Sequence, residues 1–260
     1  MTWVAWRQYR TGAAIALAIL AAMTAFLIPT GLERLALFRD SGLESCLGAG
    51  SDCVELRAPV LHSYDSLREI TTWFNFAPAI IGILLAAPII TEFEQRTHRL
   101  AWTQSITRER WLATNLAIAL AGVVAFSVVV TALMTWWYSP MNQVEPRFGG
   151  DLGPSFNFEG LMPFSYTLFA LTLGLAAGAL SRRTVVALPV ALVGFTVARL
   201  TIEGLLRQGY SGAVSGPAGE VVTLRSVERF WTIQAVEAAI FLSMAAVLSG
   251  ITVAVVKRRS

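Results

Sequence analysis

The sequence predicts an all-α integral membrane protein with six transmembrane helices. Of its 260 residues, 55% are hydrophobic and only 14% are charged, whereas soluble domains carry about 25% charged residues. The hydrophobic residues also occur in long uninterrupted runs, which the core of a soluble domain of this size has no room to bury. A helix needs about 20 apolar residues to cross the hydrocarbon core of a bilayer. Six stretches of the chain meet this length.

The six predicted spans form a single transmembrane domain over residues 1–260. Two of them, residues 161–180 and 184–206, are separated only by the basic turn Ser181-Arg182-Arg183, which predicts a helical hairpin. Gly174 and Gly178 have the G-x-x-x-G spacing of closely packed helices, and we expect packing within one subunit rather than between two copies. The other four spans are nearly free of charge and cover residues 12–29, 73–90, 111–137 and 232–256.

The charges of the connecting segments predict the orientation of the chain. Six spans place both termini on one side, and that side carries eleven Arg and Lys residues against three Glu residues. Because short cytoplasmic loops retain Lys and Arg, we expect both termini in the cytoplasm. Aromatic and basic residues from Trp3 to Arg10 predict a short amphipathic N-terminal helix on the cytoplasmic leaflet. A disordered tail is the alternative for this segment.

The two cysteines of the chain, Cys46 and Cys53, both fall in the first predicted outside loop. Oxidation is permitted on that side of the membrane, so we predict a disulfide between them. A loop this small would contribute about 2–3 kcal/mol. A metal site that also uses His62 is the alternative, but zinc normally takes four ligands.

The long loop between the second and third spans, residues 91–111, is the candidate functional segment. It is rich in charged residues but also contains the large apolar residues Phe93, Leu100 and Trp102. This mixture favours short amphipathic helices that dock against another protein, because aromatic residues are enriched at interfaces. A solvated loop held by its own i, i+4 charge pairs is the alternative.

Part of this loop carries a recognisable pattern, Glu92-x-Glu94-x-x-Thr97-His98-Arg99-Leu100-Ala101-Trp102-Thr103-Gln104-Ser105, followed by Arg108. It resembles the cytoplasmic loop of type 2 ABC (ATP-binding cassette) transporter permeases, particularly a group from high-GC bacteria. The N-terminal segment 2–10, the cysteine-bearing loop and Thr135-Trp136-Trp137 extend the resemblance over most of the chain. Arg96 departs from the family pattern, which usually has glycine before the threonine.

The resemblance implies the membrane subunit of an exporter in the bacterial plasma membrane, not an enzyme. A separate ATPase subunit would bind ATP and Mg, so no cofactor is expected in this chain, and no G-x-x-x-x-G-K-[ST] motif occurs in it. The family works as two permease chains with two ATPase chains, so the expected partners are the ATPase, a second copy of this chain and membrane lipid, with no nucleic acid.

The resemblance also implies that a coupling helix between the second and third spans passes movement of the ATPase to the membrane helices. The residues assigned to this coupling are Glu92, Phe93, Glu94, Thr97, His98, Arg99, Leu100, Trp102, Gln104, Ser105 and Arg108.

Four polar residues within the predicted spans are candidate functional residues: Asn75, Arg199, Glu203 and Glu237. Arg199 and Glu203 are spaced i, i+4 near the outer end of the fifth span, with Arg207 one further turn along. Because an unpaired charge at mid-bilayer costs about 3 kcal/mol, we favour a structural brace here over a substrate site. For Glu237 we expect an ion pair with Arg199 or Arg207, with protonation during transport as the alternative.

Two other functional classes are considered. An intramembrane enzyme is disfavoured, because His62 and His98 are predicted on opposite sides of the membrane and the sequence has no H-E-x-x-H or G-x-S-x-G motif. A non-transporting multi-pass membrane protein, such as a sensor or a toxin-immunity factor, is the main alternative to a transporter.

Overall fold

The computed structural model describes residues 2–49, 53–95, 108–144, 155–210 and 222–259. No β-strand occurs in these ranges, so the all-α prediction is confirmed. Two short 3-10 helices, Phe74–Phe76 and Phe156–Phe158, accompany the α-helices. The α-helices are α1 (Thr2–Asp40), α2 (Leu43–Gly48), α3 (Val54–Asp65), α4 (Arg68–Trp73), α5 (Ala77–Gln95), α6 (Arg108–Trp137), α7 (Ser139–Val144), α8 (Met162–Ser181), α9 (Thr184–Tyr210) and α10 (Val222–Arg259).

The described chain has six helical segments that are long and apolar enough to cross a membrane, as the sequence predicts. They cover Tyr9–Asp40, Arg68–Glu92, Ala113–Trp137, Met162–Ser181, Thr184–Leu205 and Phe230–Arg258. The end of α5, the α8–α9 turn and the end of α10 lie together, since Ile90, Ala179, Ala187 and Val256 share one hydrophobic cluster. We call this end of the bundle the terminal face and the other end the opposite face.

Helix α8 is the centre of the bundle. Its apolar window is 67% buried, against 11–50% for the other spans. Close approach to α5 explains this burial: a Cβ added at Gly178 would lie 2.5 Å from Ile90, and one at Gly174 would lie 3.0 Å from Ala86. The G-x-x-x-G pair therefore packs within one chain, as expected. Gly82 of α5 makes the reciprocal approach, because its added Cβ would lie 2.5 Å from the carbonyl oxygen of Thr167.

The predicted hairpin between the fourth and fifth spans is confirmed. Helix α8 ends at Ser181 and α9 begins at Thr184. Arg182 takes the left-handed conformation, with φ of 52°, and its N–H donates to the carbonyl of Gly178 over 2.8 Å. This bond closes the carboxyl end of α8 in the usual αL manner.

Helix α1 is longer than the sequence predicts at both ends. Residues 2–10 are helical, as expected, but they continue into the first span without a break. At the other end the helix passes through Pro29 and reaches Asp40. The hydroxyl of Thr30, the residue after the proline, donates to the carbonyl of Phe26 over 2.7 Å. With 39 residues, α1 is about 58 Å long, so it extends beyond the hydrocarbon core.

The segment after α1 is largely helical rather than a plain loop. Helices α2 and α3 fold onto the opposite face, and the predicted disulfide joins Cys46 of α2 to Cys53 at the start of α3 with a Cα–Cα distance of 6.1 Å. Leu43 and Val60 of these helices are fully buried and join the same hydrophobic cluster as Leu27 of α1. The disulfide thus closes a small helical cap, formed by α2 and α3, over the ends of α1 and α6 that lie at the opposite face.

Arg34 holds this cap to the bundle. Its guanidinium lies 4.7 Å from the ring centre of Tyr64 and 4.6 Å from that of Trp137, and the residue is only 4% exposed. It donates to the carbonyl of Thr30 over 2.9 Å and to the carbonyl of Ser63. One buried cation therefore connects α1, α3 and α6 through hydrogen bonds and cation–π contacts.

Two buried tyrosines, Tyr64 and Tyr138, lie near Arg34 and are neutral. Burial raises the pKa of Tyr64 above its usual range and raises the pKa of Tyr138 to about 12. Both phenols therefore stay protonated at neutral pH. Consistent with this, the Tyr64 hydroxyl donates to the carbonyl of Trp137 over 2.9 Å.

Arg34→Lys is expected to destabilise the protein by about 2 kcal/mol, because lysine cannot make the forked hydrogen bonds or stack between the two rings. Thermal unfolding of the purified protein in detergent measures this as a lower melting temperature. Arg39→Lys, at an exposed position of the same helix, is the control and should leave the melting temperature unchanged. Equal melting temperatures for the two variants would show that Arg34 does not anchor the cap.

Candidate functional site

The structure describes only the edges of the predicted coupling segment. Helix α5 ends at Gln95 and α6 begins at Arg108, so residues 96–107 lie outside the described residues. The predictions for Thr97, His98, Arg99, Leu100, Trp102, Gln104 and Ser105, and for the coupling helix itself, fall in this stretch. Phe93 and Arg108 have helical backbones, but their side chains also lie outside the described part. The side chains of Glu92 and Glu94 are described.

Glu94 links the coupling segment directly to the fifth span. Its Oε2 accepts hydrogen bonds from the backbone N–H of Thr184 over 2.9 Å and from the hydroxyl of Thr184 over 2.6 Å. Thr184 is the first residue of α9, so the carboxylate caps the positive end of that helix. From the family resemblance, Glu94 was expected to contact the ATPase subunit. The contact of Glu94 with α9 was not predicted.

These hydrogen bonds lower the pKa of the Glu94 carboxyl below its ordinary value of 4.5, with Arg183 assisting. Because the pKa is lowered, the contact is fully present when the pH is above the ordinary pKa of the carboxyl. It is lost as the pH falls through the lowered pKa. At neutral pH the carboxylate is therefore charged, and the contact with Thr184 is intact.

A second contact on the terminal face joins the first and third spans. Tyr9 of α1 is buried, and its hydroxyl donates to the carbonyl of Asn115 in α6 over 3.3 Å. Sequence reasoning treated Tyr9 as part of a separate N-terminal segment. In the structure it ties α1 to the start of the helix that follows the coupling segment.

The polar residues predicted within the spans come together on the opposite face. Arg199 of α9 donates to the carbonyl of Asn75 over 2.8 Å and to its side-chain oxygen over 2.6 Å. Arg199 also faces Glu203 at 4.0 Å and lies 5.0 Å from the ring centre of Tyr166. The hydroxyl of Tyr166 in turn donates to Glu237 over 2.6 Å. This network joins the 3-10 helix Phe74–Phe76 to α8, α9 and α10.

Tyr166 lies between Arg199 and Glu237, with the cation over its ring and the carboxylate on its hydroxyl. These contacts connect α9 to α10 through α8. The expected ion pair of Glu237 with Arg199 or Arg207 stays a prediction, because the side chain of Arg207 lies outside the described residues. Sequence reasoning missed Tyr166, although a tyrosine one turn inside a predicted span is a signal, because its hydroxyl needs a partner when it is buried.

Gln234 and Asn142 support the start of α8. Gln234 of α10 is 2% exposed and donates to the carbonyl of Glu159 over 3.0 Å, while Asn142 of α7 donates to the carboxylate of Glu159 over 3.1 Å. Gly160 follows with φ of 57°, and a Cβ there would lie 2.2 Å from the Gln234 side chain. This turn fixes α8 against α7 and α10.

A cavity of about 310 Å³ lies on the opposite face beside Arg199. Its floor consists of buried residues, among them Tyr138, Phe158 and Phe195, and its rim includes the exposed residues Arg68 and Leu200. The described lining residues are Arg68, Thr71, Thr72, Asn75, Phe76, Tyr138, Asn157, Phe158, Phe195, Thr196, Arg199, Leu200 and Glu203. Three of the four polar residues predicted within the spans line it.

Comparison with known proteins gives the family of the chain. The family model described as "ABC-2 membrane transporter related" matches residues 17–207, well over half of the 260 residues. The chain belongs to this family. No curated protein and no solved structure matches it.

Family membership and the six apolar helices make the chain a transporter permease, a multi-pass protein of the plasma membrane. The matched range begins within α1 and ends within α9. It therefore includes the cap, the coupling segment, the Glu94–Thr184 contact and every described residue that lines the cavity of the permease. The resemblance read from the sequence is confirmed at the level of this family.

Tyr166→Phe is expected to destabilise the permease by about 1–3 kcal/mol, because a buried carboxylate loses a hydrogen-bond donor. The ring stays in place beneath Arg199 and against Phe241, so packing is preserved. Thermal unfolding in detergent provides the measurement, and Phe164→Tyr, on the same helix, is the control. If Tyr166→Phe leaves the melting temperature unchanged, the hydroxyl does not hold α8 to α10.

Proposed function

We propose that this permease is the membrane subunit of an ATP-driven exporter, powered by a separate ATPase that docks on the terminal face through residues 91–111. Two copies of the permease would associate with two ATPase subunits, which bind ATP and Mg. Family membership supports the general part of this proposal, namely that the chain is a transporter permease. The observation that carries the finer proposal is the contact of Glu94 with Thr184.

The Glu94–Thr184 contact provides a route for mechanical coupling. Glu94 lies at the end of α5, where the proposed docking segment begins, and its carboxylate holds the first residue of α9. Any displacement of the docking segment would pull on the start of the fifth span as well as on the second. At its far end α9 carries Arg199, whose guanidinium contacts Asn75 and Tyr166. One helix therefore connects the proposed ATPase side with the polar network on the opposite face.

The docking surface itself is assigned to the apolar residues Leu100 and Trp102, with charged residues at the rim. Leu100→Asp and Trp102→Asp are each expected to release the ATPase, because a carboxylate placed in an apolar interface is left without solvent or a partner. The test is the amount of P-loop ATPase that copurifies with the tagged permease. Leu32→Asp, at an exposed position near the far end of α1, is the control. Full retention of the ATPase by both loop variants would refute this docking surface.

The coupling route is tested by a double-mutant cycle on the permease–ATPase complex. Glu94→Ala and Thr184→Val each remove the side-chain hydrogen bond, so each is expected to lower the rate of ATP hydrolysis in the complex without releasing the ATPase. Glu94→Ala also removes the hydrogen bond from the backbone N–H of Thr184, which Thr184→Val leaves in place. The double variant should therefore lose no more activity than Glu94→Ala alone. Independent losses that multiply in the double variant would show that the two residues do not act as a unit.

A non-transporting sensor or immunity factor is the second candidate function. It is distinguished by the same purification, since it requires no ATPase subunit. A permease preparation that never contains a P-loop ATPase, even from native membranes, would favour this alternative.

A further inference from the structure

We propose that the cavity beside Arg199 binds the headgroup of an anionic phospholipid from the bilayer leaflet at the opposite face. This inference goes beyond the proposed function, because it concerns the other end of the helices and does not depend on the ATPase. Four observations carry it: the depth of the cavity, its opening toward lipid, its charge, and the mixture of polar and aromatic residues that line it.

The cavity lies at the level of lipid headgroups. Arg68 begins the second span, and Arg199 comes shortly before Leu205, where the fifth span ends. The distance from Arg199 to that end is about 9 Å along the helix axis. The headgroup region is about 5–7 Å thick on each side of the hydrocarbon core. The two cations therefore lie between the headgroup layer and the outermost part of the acyl chains.

The cavity is open on the side of α9 that faces the bilayer. Leu200 lines it and is 64% exposed, and Val193 and Val197 of the same helix are similarly exposed. Exposed aliphatic residues on a transmembrane helix contact acyl chains, so a lipid beside α9 would lie with its chains along this surface. Its headgroup would then reach the cavity without leaving the membrane.

The charge of the cavity favours a singly charged anion. Its described lining contains two guanidinium groups and one carboxylate. Arg199 is held by Asn75 and faces Glu203, whereas the side chain of Arg68 makes no hydrogen bond or ion pair with any residue that the structure describes. Guanidinium groups bind phosphate oxygens with forked, charge-assisted hydrogen bonds. A phosphodiester, with one negative charge, matches the net charge of the site.

The remaining lining suits the neutral parts of the same molecule. Thr71, Thr72 and Asn75 contribute hydroxyl and amide groups to the lining, and Phe158 and Phe195 form an apolar floor. A phospholipid headgroup has this division, with polar phosphate and glycerol groups next to the first methylene groups of the acyl chains. The volume of about 310 Å³ lies at the lower end of the range for small-molecule sites.

The test is a binding titration of the purified full-length permease in a zwitterionic detergent, followed by tryptophan fluorescence. The probes are short-chain phosphatidylglycerol, phosphatidylcholine with the same chains, and glycerol 1-phosphate. We expect phosphatidylglycerol to bind more tightly than the other two by about tenfold or more, the effect of one charge-assisted hydrogen bond. Arg68→Gln should remove most of this preference, and Arg39→Gln, at an exposed position outside the cavity, should not.

A further variant changes affinity in the opposite direction. Glu203→Gln removes the one carboxylate among the described lining residues, so it should strengthen binding of phosphatidylglycerol. Equal affinities for the two lipids, or equal effects of Arg68→Gln and Arg39→Gln, would overturn the proposal. If glycerol 1-phosphate competed as well as phosphatidylglycerol, the site would be one for soluble phosphate, and the lipid proposal would be wrong. Because Arg68 and Arg39 are both exposed, neither variant should impair folding, and unchanged melting temperatures verify this.

Discussion

Several polar side chains between the helices of this protein pair with other parts of the chain, because the hydrocarbon core of a bilayer offers neither donors nor acceptors. Arg34 is held by two carbonyl groups and two aromatic rings. Arg199 is held by Asn75, and the buried carboxylate of Glu237 accepts from Tyr166. Each of these three residues makes at least one contact with a different helix, so pairing the polar groups also fixes the arrangement of the bundle.

The arrangement explains how distant parts of the chain could act together. Helix α8 is the most buried span, and its glycines allow α5 to lie against it at backbone distance. Helix α9 packs against both α8 and α5, with its first residue fixed by Glu94 and its far end fixed through Arg199. A bundle with a packed centre transmits a displacement along a helix, since its interior does not compress readily. The proposed coupling route uses this property.

Much of this architecture follows from the sequence, because the constraints are local. The number of spans follows from the length of apolar runs, the hairpin from the short basic turn, and the disulfide from two cysteines in one outside segment. The far boundary of α1 did not follow, because the helix continues through Pro29 to Asp40 and is anchored beyond the proline by contacts of Arg34 with Ser63 and Tyr64, which are distant in the sequence. The roles of Tyr166 and Thr184 also depend on side chains that are far away in the sequence. Tertiary pairing of this kind leaves no periodic signal.

The central claim is that the terminal face, with its basic connecting segments, is cytoplasmic and receives the ATPase. It is tested most directly by the location of a reporter fused after Leu100. Alkaline phosphatase and a reporter that is active only in the cytoplasm are used in parallel. The same two reporters fused after Asp65 provide the comparison. Our account predicts that the fusion after Leu100 is active only as the cytoplasmic reporter and the fusion after Asp65 only as alkaline phosphatase. Alkaline phosphatase activity after Leu100 would contradict it, because the docking segment would then lie on the side of the membrane that has no ATP.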